Sequence, residues 1–268
     1  VGVNHNGNFK LLSKIIEETS KTDVDFIKFQ AFIADQTTIK NSPKAKYQNK
    51  VKMSQYDMLK KYELKSKHFD IIYKKCSENN LKPLFSVFDI ESLNNLKKYK
   101  IKNIKIPSGE ITNLPLIKKV GKMKINVFLS TGMSTIKEIK KALLTLTNNG
   151  TPRKKIYLFH CHSDYPSKID DLNLLNILTF KKTFNCKIGF SDHTIGELAS
   201  IVAVSIGAEV IEKHITLSNK YYGPDHSSSL EVKKLNNFVK NLRNIKKTLG
   251  TNSKLKRSIA EIQNKKIV

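Results

Sequence analysis

Short apolar runs alternate with stretches of helical spacing along almost the whole chain, and most of the runs end in polar or charged residues. The runs cover residues 1–5, 26–30, 83–88, 103–108, 126–131, 156–161, 188–192 and 210–215. Each is rich in β-branched and aromatic residues and short enough for a strand. Between them, apolar residues recur at helical intervals, as in Leu11, Leu12, Ile15 and Ile16, or Ile136, Ile139, Leu143 and Leu146. Eight strand candidates, each followed by a helix candidate, fit a closed parallel barrel, although an open doubly wound sheet alternates in the same way. Polar strand ends favour the barrel, because barrel sites are built from the carboxyl ends of many strands. The expectation is an α/β fold, a (β/α)8 TIM barrel over residues 1–250 closed by a helix at 231–249. Residues 251–268 are left as a linker, and residues 33–66, too polar for core before Met58, Leu59 and Leu64, read as a substrate-covering loop.

Charge changes the picture less than its size suggests. The chain carries 48 Lys+Arg against 23 Asp+Glu, a formal net charge of +25. Only Arg153, Arg243 and Arg257 are arginines, and the lysines are scattered over helical faces beside many asparagines. Nucleic-acid surfaces concentrate arginine with interleaved aromatics, so a basic nucleic-acid-binding module is the weaker reading from a different class. A positive field that draws in anionic substrates is the milder consequence. Cys76, Cys161 and Cys186 are too dispersed for a disulfide framework or zinc ribbon, which fits a reducing cytoplasm. No apolar stretch approaches a membrane span, no signal peptide is evident, and the start at Val1 in mid-strand reads as a slightly truncated amino-terminal edge.

The chemistry gathers at the run ends. His193 and His214 follow adjacent strands, so a barrel sets them side by side, where neutral imidazoles suit a divalent metal. Glu212 shares a face with His214 and Lys213 points the other way; an ordinary salt-bridge network around the rim is the alternative for both. Lys28 and Lys105 lie inside apolar strands, where an unpaired ammonium is expensive, so each needs an anion. That anion is either a carboxylate of a neighbouring strand or a ligand's phosphate or carboxylate. Ser86, Ser108, Ser130, Ser163 and Ser191 at five strand ends add donors for such an anion. The turn at 107–113 presents Glu110, the Gly132 turn opens a helix with Ser134 or Thr135 as N-cap, and the 222–226 turn carries Asp225 and His226 over the mouth.

Taken in order, these segments resemble the sialic acid synthase family. The matching residues are Gly2-Val3-Asn4-His5-Asn6-Gly7, Lys28-Phe29-Gln30, Lys105-Ile106-Pro107-Ser108-Gly109-Glu110-Ile111-Thr112-Asn113 and Leu129-Ser130-Thr131-Gly132-Met133. They continue through His160-Cys161-His162-Ser163-Asp164-Tyr165-Pro166, Gly189-Phe190-Ser191-Asp192-His193-Thr194, Glu212-Lys213-His214 and Gly223-Pro224-Asp225-His226. The resemblance implies a metal-dependent enzyme that condenses phosphoenolpyruvate with N-acetylmannosamine or a related N-acetylated amino sugar. It implies a divalent ion, manganese with magnesium or cobalt as substitutes, on His193 and His214. It assigns phosphoenolpyruvate to Lys28, Ser86, Lys105, Ser108, Ser130, Ser163 and Ser191, the sugar to Glu110, Tyr165 and Asp225, and catalysis to Glu110 with the two histidines. The Ser108-Gly109-Glu110 turn resembles the neuraminate and legionaminate branches more than the pseudaminate one. A homodimer, a glutamate before Val1 and an antifreeze-like domain after the linker are further implications of the resemblance.

Overall fold

Seven parallel strands pair strictly in chain order: β1 Ile27–Ala31, β2 Pro83–Val87, β3 Asn103–Ile106, β4 Asn126–Ser130, β5 Ile156–Cys161, β6 Lys187–Asp192 and β7 Val210–Lys213. A doubly wound sheet must reverse its strand order at a switch point; this sheet never does, so it curls into the expected barrel. The computed structural model describes residues 1–45, 48–49, 51–250 and 257–267. The helices are α1 Phe9–Ser20, α2 Ala34–Thr37, α3 Gln55–Tyr62, α4 Ser66–Glu78, α5 Ile90–Leu96, α6 Leu114–Lys122, α7 Ile136–Asn148, α8 Asn176–Phe184, α9 Leu198–Ser205, α10 Leu235–Leu249 and α11 Ile259–Asn264. Among the described residues, no helix is long and apolar enough to cross a membrane.

Local chemistry accounts for the outer layer. In α7 the buried residues Ile139, Ala142, Leu143 and Leu146 form one stripe, and Thr135 and Glu138 close a capping box at its start. Asn8 caps α1 by accepting from the Lys10 and Leu11 amides. Residues 251–256 of the expected linker lie outside the described residues, and beyond them α11 is exposed throughout.

The first and last staves differ from expectation. Residues 1–8 form successive turns, in which the Asn4, Asn6 and Asn8 amides donate to the Val1, Val3 and His5 carbonyls. The cause is local: Gly2, Asn6 and Gly7 all have positive φ, which a strand cannot accommodate. These turns lie alongside β1. Gly2 bridges to Phe29, the Val1 backbone nitrogen donates to the Lys28 carbonyl at 2.8 Å, and Asn4 Nδ2 donates to the Ile215 carbonyl at 2.9 Å. Lower in the same seam, between β1 and β7, lies a cavity of about 490 Å³ lined by residues such as Ile27, Val210 and Phe238. The eighth run breaks at His214, after which β8 Ile215–Thr216 pairs with β9 Leu230–Glu231.

The polar excursion is less loop-like than its composition suggests. Val51, Met58 and Tyr62 bury themselves against Val3 and Phe32, and the Lys52 amide donates to the Tyr222 hydroxyl at 3.2 Å. The excursion is a cover over the amino-terminal turns, anchored by α3.

Strand parity sorts the barrel interior. The chain of paired residues Phe128–Tyr157 and Ser130–Phe159, then Phe159–Gly189 and Cys161–Ser191, carries one face around the barrel. Leu84, Phe128 and Phe159 form an apolar floor inside it. Phe159 presses on Gly189 so closely that an added Cβ would lie 2.8–2.9 Å from its ring carbons. Gly189→Ala should therefore cost about 1–3 kcal/mol, read as a lowered urea midpoint; an unchanged midpoint would show that the ring moves aside freely.

Candidate active site

On that floor stands a buried charge layer. Glu212, facing inward from β7, reaches Lys105 Nζ with Oε2 at 3.0 Å and Lys28 Nζ with Oε1 at 3.4 Å. The anion that the two lysines require is thus found inside the chain, on a carboxylate that spans the barrel rather than one at its rim. Lys105 is 1% exposed, and its ammonium also sits 3.9 Å from the Phe159 ring centroid, a cation–π contact in a dry setting. Burial opposes ionisation of Glu212, but the charges of Lys105 and Lys28 outweigh it and hold the carboxyl below its ordinary range. Burial pulls Lys105 in turn below its usual value, with Glu212 resisting. Two cations share one anion, so the layer carries a surplus positive charge.

The two histidines come together above this layer. Their ring centroids are 5.9 Å apart and the planes nearly perpendicular. His193 Nδ1 lies 2.6 Å from the His162 carbonyl, which can only accept, so Nδ1 carries the proton and Nε2 keeps its lone pair. Ser191 spends its single proton on Glu212 Oε1 at 3.0 Å. The Tyr165 hydroxyl, 3.0 Å from His193 Nε2, is then the donor to that nitrogen. Tyr165 also stacks on the His193 ring with centroids 4.0 Å apart. Burial lowers His193 to about 4. His214 falls well below its usual value, first through burial and then through the charge of Lys28. Both rings are therefore neutral near pH 7, as metal ligation requires.

His214 Nδ1 is buried without a hydrogen bond and stands 3.5 Å from Asp225 Oδ2. Gly2 makes this packing possible: a Cβ there would lie 2.7 Å from His214 Cε1. Neutral rings fit a divalent ion, which at His193 Nε2 would take the place of the Tyr165 hydrogen bond. Among the described residues no group of three or more His, Cys, Asp or Glu forms a metal cage, so oxygen ligands from substrate or water would complete the shell.

The serines fall in two groups. Ser86, Ser130 and Ser191 are buried and face inward; Ser86 pairs directly with Lys105 in the sheet register. Ser108 Oγ accepts from the Gly132 amide at 3.0 Å and lies 3.1 Å from Cys161 Sγ. Ser163 Oγ borders the same glycine. Glu110 lies in the turn after β3, where Asn113 Nδ2 donates to it at 2.8 Å. Burial raises its pKa, and Asp89 adds to the rise. His226 is buried beneath the 222–226 turn, with Nδ1 2.7 Å from Thr216 Oγ1. Sequence reasoning set Glu212 on the right face but left its partners open. It offered Lys213 a rim network, whereas the structure buries Lys213 against Asp192 at 2.8 Å.

Fold and mouth together define a TIM-barrel enzyme with an anion-ready site at the carboxyl ends of its strands. Residues 15–254 match the NeuB family, and the chain belongs to it. It is 42% identical to the N,N'-diacetyllegionaminic acid synthase of Campylobacter jejuni, an alignment covering 100% of this chain and 80% of that protein. It is 34% identical to the synthase of the same name from Legionella pneumophila, over 94% of this chain and 72% of the relative. The crystal structure of an N-acetylneuraminic acid synthetase from Leptospira borgpetersenii, in complex with citrate, superposes with a TM-score of 0.85 at 30% identity, covering 99% and 88% of the two chains. The relatives are named synthases, and the expectation of a carbon–carbon bond-forming enzyme of the sialic acid synthase type holds.

The charge layer yields a pH prediction. Glu212 has a depressed folded-state pKa, so its contribution to stability is present above its unfolded value of about 4.5 and is lost as pH falls below that. Glu212→Gln should leave two ammonium groups without their carboxylate and cost about 3–5 kcal/mol at pH 7. Added inorganic phosphate should recover part of the loss. Equal denaturant midpoints for the variant with and without phosphate would deny that the layer accepts an external anion.

Proposed function

We propose that the chain condenses phosphoenolpyruvate with an N-acetylated amino sugar and water, giving a nine-carbon 2-keto acid and phosphate by C–O cleavage. The observation that carries this reading is the surplus positive charge of the Lys28–Glu212–Lys105 layer directly beneath two neutral imidazoles. A small polyanion is the natural complement of such a layer, and the inward serines supply it with neutral donors.

In this reading Lys28 and Lys105, with Ser86, Ser108, Ser130, Ser163 and Ser191, hold the phosphate and carboxylate of phosphoenolpyruvate. Glu212 keeps both ammonium groups oriented. Carbon 3 of the enol attacks the aldehyde of the open-chain sugar, water adds to carbon 2, and phosphate leaves with its bridging oxygen. The lysines offset the charge that collects on the departing phosphate. His193 and His214 would hold a divalent ion, manganese with magnesium or cobalt as substitutes, which when bound polarises the aldehyde and acidifies water. Glu110, whose carboxyl burial makes a weaker acid, is the group for proton transfer to the oxygen of the aldehyde or for gripping the sugar. Tyr165 and Asp225, flanking the histidines, meet the sugar.

The relatives bear on the choice of acceptor. Identity is higher to the two legionaminic acid synthases than to the neuraminic acid synthetase, 42% and 34% against 30%. This supports 2,4-diacetamido-2,4,6-trideoxymannose as acceptor, with N-acetylmannosamine as the second reading. A cytoplasmic homodimer belongs to the same proposal.

Phosphate release measured with manganese, phosphoenolpyruvate and each of the two sugars tests the reaction and the acceptor together. Release should require a sugar and cease on chelation; activity that survives a chelator would remove the metal from the reading. His214→Ala should abolish turnover. Lys105→Ala should raise KM for phosphoenolpyruvate at least about tenfold, the loss of a charged hydrogen bond, with KM for the sugar much less affected. Equal rises in both constants would count against an anion-binding role. For Glu110→Gln the expected outcome is a fall in kcat at saturating sugar, and a change confined to sugar KM would leave Glu110 as a binding group only.

A further inference from the structure

The outward faces of β6 and β7 carry a second buried ion pair that the proposed chemistry does not use. Asp192 and Lys213 are partners in the strand register, and their side chains are 0% and 3% exposed. Lys213 Nζ lies 2.8 Å from Asp192 Oδ2 and donates to the Thr194 carbonyl at 2.7 Å. Asp192 Oδ1 accepts from both the Thr194 amide at 2.8 Å and its hydroxyl at 2.7 Å. Ser200, on α9, donates to Asp192 Oδ2 at 2.5 Å.

Position gives this pair its meaning. Strand parity turns Asp192 and Lys213 outward, and each is followed at once by an inward histidine, His193 and His214. The pair therefore ties the two backbones together at the step before each imidazole leaves its strand. Thr194, gripped by three hydrogen bonds, fixes the residue after His193 as well. On the opposite side, the Ser167 amide donates to the His193 carbonyl at 3.0 Å, and the His162 carbonyl sets the ring tautomer. Stability alone is a poor reason for such a pair, since replacing a buried ion pair by apolar residues is often neutral or stabilising.

We infer that Asp192 and Lys213 are positioning residues, a yoke that sets the separation of His193 and His214 for shared ligation of one divalent ion. The inference rests on the metal assignment proposed above for those two histidines. Lys213 acts through the Thr194 carbonyl and Asp192, and Asp192 acts through the Thr194 amide; neither touches substrate.

The test compares Lys213→Met with the double variant Asp192→Asn/Lys213→Met. In the double variant the asparagine retains an acceptor for Thr194 and leaves no buried charge, so it guards against a single variant that fails to fold. Manganese alone is titrated into each protein and free Mn(II) followed by electron paramagnetic resonance, with thermal melts and steady-state constants in parallel. The expected result is manganese affinity weakened about 10–100-fold, the range for groups that orient metal ligands. In parallel kcat should fall, and KM for phosphoenolpyruvate should stay within about twofold because the lysine and serine pocket is untouched. Manganese affinity and kcat unchanged in a folded variant, with only the melting temperature altered, would make the pair a structural brace and overturn the yoke. A parent protein that fails to bind manganese at all would overturn the metal assignment and the yoke with it.

Discussion

One buried carboxylate holds two buried ammonium groups, and much else in the barrel is arranged around that imbalance. Glu212 lies between Lys28 and Lys105, and none of the three could be desolvated alone without a cost of several kcal/mol. Together they are tolerable, yet the sum is still positive. The floor of Leu84, Phe128 and Phe159 sets apolar side chains beneath the layer, which strengthens its field toward the mouth. The same field helps keep His214 neutral, because the charge of Lys28 acts on it after burial itself. Anion attraction and imidazole neutrality are thus two results of one arrangement.

Geometry of the parallel ladder makes the arrangement possible. Residues two apart share a face, so Ser191 and His193, or Glu212 and His214, enter the barrel together, while Asp192 and Lys213 turn out between them. The inner set carries proposed chemistry and the outer set holds the strands in register. A one-residue slip would exchange the two sets. It would place Lys213 in the mouth and drive both imidazoles beneath α9.

Parity is also why so much is legible in the sequence. The run ends at Lys28, Lys105, His193 and His214 were visible as polar residues closing apolar runs, and the barrel follows from that repetition. The pairing of Glu212 with both lysines was not legible, because parity tells which face a residue occupies and not which of several opposite charges lies across the barrel. The first stave was misread because Val1 and Val3 look β-like, while the positive φ of Gly2, Asn6 and Gly7 shows only in backbone geometry. The excursion after β1 misled by composition: Val51, Met58 and Tyr62 are few, but they are the residues that anchor it.

The turns of residues 1–8 have a consequence for the site. A regular strand at residues 1–5 would present side chains at every position along the His214 edge. The turns bring Gly2 there instead, where a Cβ would strike the ring, and carry Asn4 across to the Ile215 carbonyl and the Ser229 hydroxyl. His214 sits at the break between β7 and β8, where the strand ladder no longer fixes it. Beyond the tie of Lys213 to Asp192, its place is set by contacts from outside its own strand. Asp225 lies on one side, Gly2 is pressed against its ring, and the Leu230 amide donates to its carbonyl at 2.8 Å. His193 is held by hydrogen bonds from its own loop and the 162–167 segment, whereas His214 is held by closure of the barrel. An ion shared by the two would couple ligand binding to the integrity of the seam between β1 and β7.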